Sequence, residues 1–168
     1  VIDPIQNAMA KAADLWIRLR PGTDLALALG MIHVIINENL YDHQFVDTWT
    51  VGFDELRQHV QAYSPEKVAE ITWVPKEKIK WAAEVYAEAK PGCIPWGNGI
   101  ETTLNGFQAA RAIAILRSIT GNLGIPGGDV YCSDPGELTR GDPHFVCRDN
   151  IPPAVRANRI SMKDNLIP

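Results

Sequence analysis

Arg20-Pro21-Gly22-Thr23-Asp24 is the stretch whose residue types and spacing point most directly to chemistry. It forms a tight turn that empties into the apolar run Leu25 to Ile36. A turn of this kind leaves unpaired backbone N–H groups and the positive end of a helix dipole facing outward. Such an end suits the phosphate of a nucleotide. Asp24 changes the argument, because a carboxylate there repels a phosphate. Having only acceptors, it matches a partner with paired donors, such as the N1–H and exocyclic amine of guanine. The plain alternative is that Thr23 or Asp24 caps the helix.

Two further places invite a ligand. Cys93-Ile94-Pro95-Trp96 reads as a short strand that ends in Gly97-Asn98-Gly99, ahead of an apolar helix over Leu104 to Ile119. A G-x-G turn at a strand end lets backbone approach a bulky ligand closely, although the third Gly of the dinucleotide fingerprint is missing. Trp96 beside it reads as a pocket wall or as core. Asp3 closes the apolar opening Val1-Ile2-Asp3-Pro4, and such a strand-end acid often meets a ribose hydroxyl in doubly wound sheets. It reads equally as a turn residue.

The elements that must position these residues follow a strand, helix, strand, helix order. Val1-Ile2-Asp3 and Leu15 to Leu19 read as strands, with a short helical segment between them from Gln6 to Asp14. The run after Asp24 is too long for an ordinary strand and too short to cross a bilayer, so it reads as a buried helix. The fold expected is α/β, a Rossmann-like parallel sheet with flanking helices. Small helices follow: one carries Phe45, Val46 and Trp49 on one side, one runs over Asp54 to Tyr63, and one is opened by Ser64-Pro65-Glu66. Then comes an amphipathic helix with Ile79, Ala82, Ala83, Tyr86 and Ala87 on its apolar face, stopped by Lys90-Pro91-Gly92. Residues 1–129 are expected to form the α/β region, and 130–168, rich in Pro, Asp, Asn and Arg, an irregular connecting segment. Arg140, His144, Arg148, Arg156 and Arg159 of that segment are suited to an interface anion or to plain surface.

Composition narrows the function. The chain has 168 residues, 46% hydrophobic and 21% charged, with a net charge of −4, and its isoelectric point is near 5.5. That argues against a nucleic-acid surface. Cys93, Cys132 and Cys147 lie too far apart for a C-x-x-C metal pair and are too few for a disulfide framework. They build no iron–sulfur or zinc site alone. No apolar run is long enough to span a membrane. The opening on Val1 and the close on Ile167-Pro168 suggest a piece of a larger protein.

Val1-Ile2-Asp3-Pro4, Ala13-Asp14-Leu15-Trp16, Arg20 to Asp24 with Ala26 to Met31, Asn37-Glu38, Leu40-Tyr41-Asp42, Phe45-Val46, and Thr120-Gly121-Asn122 with Pro126-Gly127-Gly128 follow one another in a specific order and spacing. Together they resemble the molybdopterin-dependent oxidoreductases of the dimethyl sulfoxide reductase family, from Val1 to about Asp129. The resemblance implies an internal portion of a large catalytic subunit holding molybdenum or tungsten in a bis-molybdopterin guanine dinucleotide cofactor. It gives Asp24 the guanine base, makes Gly22 and Thr23 the shapers of its turn, puts Asp3 near the nucleotide, and lays Gly97-Asn98-Gly99 against a pterin. The metal-ligating residue and a 4Fe-4S cluster are expected upstream, so no catalytic residue and no metal ligand is assigned to this stretch. A small-molecule substrate is implied, with room for an electron-transfer subunit, and the compartment stays open between cytoplasm and periplasm.

Two departures bear on the reaction. Ile5 stands where many members carry Arg after the Asp-Pro pair, and the stretch after Gly128 lacks the R-G-Q-N run of formate-dehydrogenase-like members. The second makes formate oxidation less attractive than reduction of S- or N-oxides or sulfur oxyanions, or the tungsten-dependent hydration of acetylene. The competing readings are a non-catalytic accessory subunit with the same fold and a simple mononucleotide-binding α/β domain.

Overall fold

The structure, a computed structural model, describes residues 1–130 and 152–154. Its helices are α1 (Ala8–Ala12), α2 (Asp24–Asn37), α3 (His43–Trp49), α4 (Phe53–His59), α5 (Pro65–Thr72), α6 (Lys76–Glu88), α7 (Asn98–Glu101) and α8 (Gly106–Ile119), with a 3-10 turn at Val60–Ala62. The apolar run after Asp24 is α2, as its length and composition predict. It buries Ala26 to Ile32 and Val34 to Ile36, leaving no face for water. A helix apolar on all sides has to be surrounded. Helices α5, α6 and α8 surround it.

Local chemistry sets the flanking helices. Asn7 caps α1 by accepting from the Ala10 N–H (2.9 Å), Asp42 caps α3 through the Phe45 N–H (2.9 Å), and Ser64 caps α5 through the Lys67 N–H (3.3 Å), with Pro65 at the first helical position. Helix α6 buries Ile79, Ala83 and Ala87, the stripe its sequence pattern marked. Gly30 lets α5 come close, since a Cβ there would lie 2.9 Å from Val68 Cγ2. Trp49, grouped with Phe45 and Val46 by sequence, is 76% exposed.

The expected Rossmann-like parallel sheet is not there. Among the described residues helix accounts for 58% and strand for 3%, with no sheet. The segments read as strands do meet in parallel, through a single bridge between Ile2 and Ile17. Asp3 N–H donates to Ile17 O (3.1 Å) and Ile17 N–H to Val1 O (2.9 Å). No ladder grows from that bridge, because the neighbouring backbone is claimed by helices: Arg20 N–H donates to Thr72 O (2.8 Å) and Lys78 Nζ to Trp16 O (3.0 Å). The two-residue alternation still places Ile17 and Leu19 inside and Arg18 and Arg20 outside. Val1 and Ile2, expected in a buried strand, are exposed.

The helix expected from Leu104 begins instead at Gly106. A Cβ at Gly106 would stand 2.6 Å from the carbonyl oxygens of Ile100 and Glu101, so the chain doubles back tightly between α7 and α8. Val1–Val130 forms one compact unit. Arg140, His144, Arg148, Arg156 and Arg159, with Cys132 and Cys147, lie outside the described residues.

Two outcomes test this packing. Gly30→Ala should destabilise the protein by about 1–3 kcal/mol through overpacking, and Val68→Ala in the same chain should return part of the loss, as read from denaturant midpoints. Asp42 also accepts from Lys90 Nζ (3.0 Å) and donates its own N–H to Ile119 O (2.7 Å). The Phe45 N–H, and then Lys90, hold its carboxyl below the ordinary value of 3.8. Asp42→Ala should therefore cost about 0.5–2 kcal/mol at neutral pH. A depressed folded-state pKa gives stability that is present above the unfolded value and lost as pH falls through the folded one. The gap between wild type and variant should close on that descent, and a gap constant down to pH ~2 would refute the assignment.

Candidate cofactor-binding site

Gly22 takes φ +79°, the left-handed conformation that turns the chain into α2. Thr23 precedes the helix, but its hydroxyl donates back to Arg20 O (2.6 Å) and makes no cap. The plain cap reading therefore fails for Thr23, and the first-turn N–H groups of Leu25 and Ala26 have no carbonyl partner within the helix. Asp24 is half-buried, and burial pushes its carboxyl above the ordinary carboxylate value, with its own backbone N–H pulling the other way. The turn is anchored from behind by the Arg20 N–H on Thr72 O and by the Arg20 guanidinium, 5.0 Å from the centre of the Trp73 ring.

Gly97 precedes α7, and Asn98 and Gly99 are its first residues; all three are exposed. The sequence-predicted strand-end turn is thus the start of a single helical turn. A Cβ at Gly97 or at Gly99 would meet nothing within 4 Å, and the same holds at Gly22. The chain's own packing does not explain why side chains are missing at Gly97 and Gly99. Space left open there suits a ligand laid against the backbone.

Asn105, directly before α8, reaches the first of these turns. Its Nδ2 donates to Gly22 O across a long 3.5 Å, while its Oδ1 accepts from Thr103 Oγ1 at 3.1 Å. The sequence reading placed Asn105 inside a helix and missed it; the signal was an Asn directly before a Gly, a helix-start pair. Trp96 packs partly against the core and donates its Nε1–H to Glu101 Oε1 (3.0 Å).

Asp3 is spent locally. One carboxylate oxygen accepts from the Ile5 N–H (2.7 Å) and the other from Asn7 Nδ2 (3.0 Å), which makes the turn into α1. Ile5 is 71% exposed. Among the described residues no group of three or more His, Cys, Asp or Glu side chains gathers to hold a metal, and no helix is long and apolar enough to cross a membrane.

Comparison with known proteins shows the family. Residues 1–133 match the family described as molybdopterin oxidoreductase. The chain is 47% identical over 138 residues to acetylene hydratase of Syntrophotalea acetylenica, a match covering 82% of this chain and 19% of that protein. It is 44% identical over 130 residues to formate dehydrogenase H of Escherichia coli, covering 77% and 18%. The solved acetylene hydratase of Pelobacter acetylenicus superposes with a TM-score of 0.71 at 49% identity, over 72% of this chain and 17% of that one. The chain belongs to the molybdopterin oxidoreductase family, an enzyme family, and membership implies a molybdenum- or tungsten-pterin cofactor. It spans about a fifth of the length of the curated relatives it matches. The open backbone at Gly97 and Gly99 and the half-buried Asp24 carboxylate fit such a group.

One outcome tests Asp24 without any cofactor. Its raised folded-state pKa means that the ionised side chain weakens the fold above that pKa, and that the penalty vanishes below the unfolded value of 3.8. Asp24→Asn should raise the melting temperature of the cofactor-free protein at neutral pH, with the gain fading in acid. A loss at neutral pH would mean that the charge stabilises the helix start.

Proposed function

We propose that residues 1–129 supply part of the envelope for a bis-molybdopterin guanine dinucleotide cofactor carrying molybdenum or tungsten. Asp24 would accept hydrogen bonds from the N1–H and exocyclic amine of a guanine, with Gly22 and Thr23 shaping the turn that presents it. Asp3 would lie near the nucleotide, and Gly97-Asn98-Gly99 would lie against a pterin. The observation that carries the reading is the Asp24 carboxylate, half-buried at a helix start, where burial outweighs the relief its own backbone N–H gives. A desolvated acceptor of that kind is costly until donors arrive.

The cofactor would supply the reactive metal, for two-electron oxygen-atom transfer or for a hydration of the acetylene type. The chain's own residues bind, orient and shield. The ligand to the metal and a 4Fe-4S cluster are assigned to other parts of the complete polypeptide, as is any docking of an electron-transfer subunit. The hydration reading is supported by the 47% identity to a protein named acetylene hydratase, and the oxygen-transfer reading by the 39% identity to dimethyl sulfoxide reductase of Escherichia coli.

In the full-length enzyme, Asp24→Ala should weaken cofactor retention by about 1–3 kcal/mol, roughly 5- to 150-fold, because guanine donors are left unpaired. Asp24→Asn should do no better, since its amide turns a donor toward donors. Pterin and guanine nucleotide released per protein on extraction is the measurement. Unchanged content in both variants would reduce Asp24 to a helix-start residue.

A further inference from the structure

We infer that Arg117 and Asp129 are positioning residues for the cofactor: this ion pair takes the place of a neighbouring strand, holds Cys93–Trp96 straight, and thereby sets where the Gly97-Asn98-Gly99 turn stands. The inference rests on the proposed reading that this turn faces a pterin.

The geometry is specific. Arg117 Nε lies 3.0 Å from Asp129 Oδ2, with the two side chains 15% and 10% exposed. The pair grips both backbone polar groups of Ile94. Asp129 Oδ2 accepts the Ile94 N–H (3.2 Å), and an Arg117 terminal nitrogen donates to Ile94 O. A parallel sheet would have satisfied those two groups with a neighbouring backbone. Here two side chains do so. Asp129 Oδ1 also accepts from Cys93 Sγ (3.4 Å), and the Arg117 guanidinium lies 4.2 Å from the centre of the Trp96 ring. Trp96 in turn donates to Glu101, at the far end of the helical turn that begins with Asn98. The segment is thus held on both sides of Gly97-Asn98-Gly99.

The clamp has its own foundation. Asp129 N–H donates to Asn122 O (2.8 Å) and Gly124 N–H to Asp129 O (2.7 Å), so the turn between them closes on itself. Asn122, fully buried, accepts the Gly92 N–H (2.8 Å) and donates to Thr120 Oγ1 (3.1 Å). A Cβ at Gly128 would run into Asn122 O, and one at Gly127 would lie 2.8 Å from Pro91. Thr120-Gly121-Asn122 and Pro126-Gly127-Gly128 therefore bring Asp129 against the Cys93–Trp96 segment leading to the turn. A buried ion pair is a poor source of stability compared with apolar packing of the same volume. Its geometry fits a role in fixing one conformation.

Cys93 reports on the clamp directly. The hydrogen bond to Asp129 pushes its thiol above the ordinary value, which slows its reaction with thiol reagents at neutral pH. In the full-length enzyme, Asp129→Ala and Arg117→Gln should each raise the exchange rate of the Ile94 amide, and Asp129→Ala should speed alkylation of the Cys93 peptide several-fold, both read by mass spectrometry. The fraction of each variant that keeps its cofactor should show a shifted paramagnetic resonance signal from the metal. A purely structural pair would lower yield and melting temperature and leave that signal unmoved, and this result would overturn the inference. Should Asp129→Ala fail to fold, Asp129→Asn carries the resonance test, because it loses the charge that pairs with Arg117 while keeping an acceptor for Ile94. Gly97→Val separates the two ideas. If Gly97→Val leaves pterin content and signal unchanged, the proposed reading of the turn fails; if it disturbs them while the Arg117 and Asp129 variants do not, only the positioning role fails.

Discussion

The enclosure of α2 governs the rest of the structure. A fourteen-residue helix with Ala26 to Ile32 and Val34 to Ile36 all withdrawn from water needs neighbours on every side. Burial of each Leu, Ile or Val contributes about 1.5–3 kcal/mol, so the helices that cover it are held to it more firmly than to one another. Gly30 against Val68 shows how closely they come. Because the body of α2 is covered except at the half-buried His33, its ends are where it chiefly meets solvent, and its first residue is Asp24. The half-burial that perturbs Asp24 follows from the same enclosure.

Backbone polar groups that a sheet would have paired are satisfied here by whatever lies beside them. Ile17 finds Val1, Arg20 finds the last residue of α5, and Ile94 finds a carboxylate and a guanidinium. The requirement is the same in each case, since a buried donor or acceptor left alone is costly. What differs is the direction the solution imposes. A sheet would have extended the strand laterally, whereas the Arg117–Asp129 pair holds one short segment and releases it at Gly97.

Glycines separate into two kinds. At Gly30, Gly106, Gly121 and Gly128 a Cβ would strike a neighbour, so the chain's own packing demands them. At Gly97 and Gly99 it would strike nothing. Gly22 and Gly124 share that open space, but their positive φ accounts for them; at Gly97 and Gly99 neither packing nor backbone conformation requires a glycine.

Much of the local structure was legible beforehand. The apolar run after Asp24, the Ser64-Pro65 helix start and the Ile79, Ala83 and Ala87 stripe each depend on residues close in sequence, and each forms as expected. The two-residue alternation around Ile17 identified the buried face, and the parallel partner at Ile2 is present, but the pairing stops at one bridge, because alternation records which side is dry and carries nothing about what lies along the backbone edge. Asn105 was misplaced for the same reason: the tight reversal that ends at Gly106 depends on two carbonyls of the preceding turn. By itself the sequence determined the apolar helix α2, the Ser64-Pro65 start of α5, the buried stripe of α6, the turn at Gly22 and the family. Tertiary structure alone decided that no sheet forms among the described residues, that Asn105 at the start of α8 reaches Gly22, and that Asp129 reaches back to Ile94. Those outcomes join residues tens of positions apart, and such contacts are set by which surfaces remain uncovered once α2 is enclosed.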